Sequence, residues 1–148
     1  METLDDALYD QITALCKQGD DLFETGRLDE ALERYNQAWA LLPDPKHQWE
    51  AATWILTAIG DANYTKGDYQ MARNALTGAM HCPDAIGNPF IHLRLGECQF
   101  ELGDLDRAAD ELMRAYMGAG PEIFEGDDPK YLRFLSTRAK DIEVPPGD

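Results

Sequence analysis

An all-α fold, a solenoid of three helix–turn–helix repeats closed by a C-terminal helix, is what the sequence predicts, and three observations predict it. Pairs of glycines seven residues apart recur at Gly19/Gly26, Gly60/Gly67 and Gly96/Gly103. An alanine follows each second glycine by five residues, at Ala31, Ala72 and Ala108, with a large residue, Tyr35, Leu76 or Leu112, four further on. The chain of 148 residues is 44% apolar, enough for a core in a single domain.

The elements follow in order. Residues 4–11 extend the first helix towards the N-terminus. Gly19, Gly60 and Gly96 let two helices approach closely, because a missing side chain clears the neighbouring backbone. Gly26, Gly67 and Gly103, each followed by a polar turn, end one helix and start the next. Ala31, Ala72 and Ala108 stand at the tight crossing of each hairpin, and Tyr35, Leu76 and Leu112 fill the gap to the next repeat. The second glycines of the first two repeats are 41 residues apart. The additional residues, 44–53, predict a helix that starts near Pro45, runs straight into the second repeat and projects beyond the solenoid. In the loop over residues 82–88, Asn88 caps the next helix and Pro89 is its first residue. After an acidic loop at residues 122–128, a capping helix over about 128–141 turns Leu132, Leu135 and Ala139 inward. It carries Lys130, Arg133, Arg138 and Lys140. The tail at residues 144–148 frays.

These features resemble the tetratricopeptide repeat (TPR), a unit of about 34 residues. The resemblance covers residues 12–120, with repeats at about 12–45, 53–86 and 89–120, and makes residues 1–148 one domain. Asn63 and Gln99 stand where the family has an aromatic. By the same resemblance the first helix of each repeat lines a groove. Its positions here are Thr13, Cys16, Asp20, Phe23 and Glu24, then Trp54, Thr57, Asp61, Tyr64 and Thr65, then Phe90, Leu93, Glu97, Phe100 and Glu101. Asp20, Asp61 and Glu97 form an acidic row beside Phe23, Trp54, Tyr64, Phe90, Leu93 and Phe100, with Glu101 at one end. TPRs that clamp chaperone C-termini carry Lys, Asn, Asn, Lys and Arg where this chain has Cys16, Asp20, Ala58, Phe90 and Arg94. Only Arg94 fits, so that use is excluded.

The formal net charge is −15, from 28 acidic and 13 basic side chains. That surplus argues against nucleic acid and anionic membranes as partners and permits either a basic partner or simply high solubility; the acidic row in repeat register favours the basic partner. The longest uncharged apolar run, residues 51–60, is half of what a membrane span needs. The N-terminus carries acids where a secretion signal needs positive charge. Cys16, Cys82 and Cys98 form no CxxC pair, so inert thiols in a reducing cytoplasm are expected.

Catalytic patterns are missing. Ser136 is the single serine and lacks a GxSxG setting. His47, His81 and His92 are scattered, His81-Cys82 reads as structural rather than metal-binding, and His92 reads as packing. No cofactor, metal or small-molecule substrate is expected, and the chain reads as a non-enzyme. The segments at residues 49–55, 60–69, 87–96 and 125–135 are similar to a group of small bacterial TPR proteins. Some of these resemble immunity proteins of Rhs or polymorphic toxins. That resemblance implies a module that binds and neutralises a cognate toxin domain; the alternative is a scaffold or assembly adaptor.

Overall fold

The computed structural model describes residues 3–142 and 144. Seven α-helices are present among them, and no strand. The chain divides after Ala85 into two compact units. The first holds α1 (Asp6–Glu24), α2 (Leu28–Leu41), α3 (Glu50–Lys66) and α4 (Tyr69–Ala79). The second holds α5 (Pro89–Glu101), α6 (Leu105–Ala119) and α7 (Lys130–Arg138).

Three hairpins, α1/α2, α3/α4 and α5/α6, share one turn chemistry. Gly26, Gly67 and Gly103 adopt φ of 80°, 89° and 84°, the left-handed region that side chains avoid. Each turn closes with two backbone bonds, such as Asp68 N–H to the Asn63 carbonyl at 2.9 Å and Gly67 N–H to the Tyr64 carbonyl at 3.0 Å. These bonds satisfy the last carbonyls of the first helix. At the crossing, Ala31, Ala72 and Ala108 are fully buried. A Cβ on Gly60 would lie 2.5 Å from Leu76 Cγ, and one on Gly96 2.8 Å from Leu112 Cγ. Tyr35, Leu76 and Leu112 therefore sit on the glycine of their own hairpin, which is nearer at hand than the gap they were expected to fill.

In the first unit α3 packs on α2 and α1 over a core that includes Ile12, Tyr35, Leu42 and Ile55. The predicted helix from Pro45 does not form. Lys46 Nζ instead donates to the carbonyls of Trp39 (3.1 Å) and Leu42 (2.6 Å) at the end of α2. Trp49, extended at φ −95° and ψ 141°, turns its indole back to donate to the Pro43 carbonyl at 2.9 Å. A short 3-10 turn at Lys46–Gln48 is all that remains, and α3 starts afresh at Glu50. With 17 residues α3 is shorter than α1, which has 19 and includes most of the predicted extension.

In the second unit Asn88 accepts from Phe90 N–H at 3.0 Å and Pro89 opens α5, as the sequence predicts. His92 is buried and joins two elements. Its Nε2 accepts from Gly87 N–H at 2.9 Å, which leaves Nδ1 to donate to Glu111 on α6. The capping helix is shorter than expected, ending at Arg138. Leu132 and Leu135 are buried with Tyr131, whereas Ala139 lies past the end in an extended conformation. Beyond Val144 the predicted tail falls outside the described residues.

Candidate functional site

In the first unit, α1 and α3 present the predicted groove positions side by side. Asp20 is exposed at the surface, and the buried Tyr35 reaches it from α2, its hydroxyl donating to Asp20 Oδ1 at 2.6 Å. Burial first, and then that bond to Asp20, hold the Tyr35 phenol well above its ordinary range. The half-buried Asp61 is close enough for its charge to act on the same hydroxyl. Cys16 lies there too, its thiol pushed up to about 11 by burial and then by Asp20. It is a protonated, unreactive thiol at neutral pH. Phe23 is half-buried against the core, and Tyr64 stacks edge-on to Tyr69 at 5.8 Å.

Trp54 is 44% exposed and meets Tyr9, itself 43% exposed, edge-to-face with ring centroids 6.2 Å apart. Tyr9 was not among the predicted positions, because it precedes the first repeat. The helical spacing could have found it: positions 9, 13, 16 and 20 form one stripe.

The second unit treats its groove positions differently. Leu93 is 2% exposed and Glu97 is fully buried, so neither offers surface to a partner. This corrects the three-membered acidic row, in which Glu97 was to match Asp20 and Asp61. The reason is the cap. Arg94 donates to Glu97 Oε1 at 2.7 Å and to both Asp127 oxygens at 3.2 Å, and its guanidinium lies 5.0 Å from the Phe90 ring centroid. Burial, and then the neighbouring Asp127 carboxylate, raise Glu97 to about 9 against the opposing pull of Arg94, so it is neutral at pH 7. Phe100 is half-buried, with the rings of Tyr131 and Phe134 5.5 and 5.0 Å away. Glu101 accepts from the Tyr131 hydroxyl at 2.8 Å and pairs with Lys130. On α5 the aromatic and acidic positions thus hold the cap in place.

Two tetratricopeptide-repeat family models match the sequence, over residues 10–80 and 57–122. The chain belongs to the tetratricopeptide-repeat superfamily. Solved TPR-type structures share the all-α fold predicted from the repeats. The type III secretion chaperone SycD of Yersinia enterocolitica, solved with a peptide of the translocator YopD, is 16% identical, with a TM-score of 0.67 over 86% of this chain and 92% of that one. PcrH from Pseudomonas aeruginosa is 21% identical, with a TM-score of 0.66 over 92% and 95% of the two chains. The second TPR domain of human RPAP3, in complex with an HSP70 peptide, is 18% identical, with a TM-score of 0.66 over 88% and 96%. No curated protein sequence matches the chain.

The Ser136 hydroxyl donates to the Arg133 carbonyl at 2.6 Å within α7. Among the described residues no cluster of His, Cys, Asp and Glu could hold a metal, and no helix is long and apolar enough to cross a membrane. Arg94, the one residue that fitted a carboxylate clamp, is bound to Glu97 and Asp127.

Proposed function

We propose that this TPR protein is a non-catalytic protein-binding module whose α1/α3 face takes a basic partner. One observation carries the reading: on that face the exposed Asp20 shares a surface with an exposed aromatic pair, Tyr9 and Trp54. Aromatic rings supply contact area at little entropic cost. Carboxylates beside them speed the encounter with cations and penalise acidic competitors. α1 carries Asp6, Asp10, Asp20, Asp21 and Glu24 against Lys17 alone, so its field is strongly negative. SycD with a YopD peptide and RPAP3 with an HSP70 peptide are precedents for the fold holding protein segments, which supports a protein ligand.

Within that class the more specific proposal is an immunity protein that masks a cationic toxin domain. It rests on the resemblance of residues 49–55, 60–69, 87–96 and 125–135 to bacterial proteins of that kind. Affinity purification from the source cells tests both levels. A single basic toxin domain, bound at one to one and lost when Asp20→Lys is introduced, is the expected result. A mixed set of housekeeping proteins would contradict immunity and favour an adaptor. Binding unchanged by Asp20→Lys would contradict the α1/α3 face.

A further inference from the structure

Several of the chain's aromatic rings lie beside its own cations. Lys46 lies 5.9 Å from the Trp39 centroid, and Arg94 5.0 Å from that of Phe90. Lys130 serves both Phe100 and Tyr131, and Arg138 lies 5.3 Å from Phe134. Tyr9 and Trp54 are the most exposed of the Phe, Tyr and Trp side chains among the described residues, and no Lys or Arg of those residues stands over either ring. Their mutual contact is edge-to-face, at an interplanar angle of 76°, so the pair forms a corner. Both rings are more than two-fifths exposed.

The surroundings of that corner are acidic. One helical turn before Tyr9 come Asp5 and Asp6, and one turn before Trp54 comes Glu50, all three exposed. An apolar side chain entering there would strip water from carboxylates and return nothing. A cation would be attracted by the rings and the carboxylates together. Arginine suits the site better than lysine. Its guanidinium is planar and weakly hydrated, so it can lie flat on an indole while its edge donates to a carboxylate.

We propose that the Tyr9–Trp54 corner seats an arginine side chain of the protein partner, stacked on the exposed indole. This rests on the α1/α3 reading above and names the partner's anchoring residue.

The test uses three synthetic probes, a blocked Gly-Arg-Gly-Arg-Gly peptide and its lysine and citrulline forms. Each is titrated by calorimetry into the full chain and its variants, and in every chain that keeps Trp54 the indole N–H resonance, assigned by its loss in Trp54→Leu, is followed alongside. The arginine peptide should shift that resonance and bind about three- to fivefold tighter than the lysine form, and more so than neutral citrulline. Trp54→Leu and Tyr9→Ala should each erase that preference, and Trp54→Tyr should keep part of it. Equal affinities for the arginine and lysine peptides, unaffected by Trp54→Leu, would overturn the proposal. So would no binding of the arginine peptide at millimolar concentration. In the equal-affinity outcome, a loss of binding in Asp20→Lys would still uphold the acidic face, so the two readings fail separately.

Discussion

Glu97 offers the sharpest perturbation of this molecule, because its ionisation state decides whether the second unit buries a further carboxylate charge beside the Arg94–Asp127 pair. The carboxyl group is fully buried, accepts from Arg94 at 2.7 Å and has its usual value of 4.5 raised to about 9, by burial and then by Asp127. Below pH 4.5 it is protonated whether the chain is folded or not, and its contribution is fully present. Between the two values the unfolded chain has released a proton that the folded chain retains, so stability falls as pH rises, by about 1.4 kcal/mol per unit. From pH 5 to pH 7 that slope amounts to roughly 3 kcal/mol. Glu97→Gln keeps an oxygen for Arg94 and removes the titration. The variant should match the wild type near pH 5 and exceed it by about 3 kcal/mol at pH 7. Urea denaturation followed by circular dichroism across this range measures the difference, and subtraction removes the repulsion common to both chains. Parallel curves would refute the reasoning. A Gln variant weaker by about 3 kcal/mol at pH 7 would mean that Glu97 is ionised and paired with Arg94.

Other expectations follow from the hairpins and the α1/α3 face. Gly60→Ala places a methyl group 2.5 Å from Leu76 Cγ and should cost about 1–3 kcal/mol in thermal denaturation; Leu76→Ala should cost less when added to that variant than it does alone. Gly67→Ala meets no neighbour but must hold φ near 89°, so a loss of about 1–2 kcal/mol should come from the backbone only. The Cys16 thiol, raised from 9.0 to about 11, should react with iodoacetamide at pH 8 on the order of a hundredfold more slowly than an ordinary thiol. Asp20→Asn should speed that reaction, as peptide mass spectrometry of the alkylated site would show.

The fold was legible because its glycines have few possible jobs. A glycine that closes a turn at φ near 85° and another that admits a neighbouring helix leave a spacing that survives any change around them. The cap of α5 was also legible, since Asn88 and Pro89 act within one turn. What failed depended on side-chain contacts that the repeat pattern does not encode. The helix expected from Pro45 gave way to Lys46 and Trp49, whose side chains bond back to the end of α2 and the Pro43 carbonyl. Leu93 and Glu97 match groove positions in the repeat register, yet both are buried, Glu97 beside an Arg94 that Asp127 also reaches. No local pattern announces that a loop 30 residues away will bring its carboxylate there. Tyr9 was missed for the opposite reason: its helical stripe is plain, but the repeat boundary had been drawn just after it.

The claim at the centre of this account is that a basic protein docks on α1 and α3. Site-specific photo-crosslinking reads it directly, with the reactive residue placed at Thr13, between Tyr9 and Asp20 on that face, or at the exposed Met117 on α6. In extract of the source cells, position 13 should capture one basic protein and position 117 should not. Capture from position 117 alone, or of an acidic protein from position 13, would contradict the account.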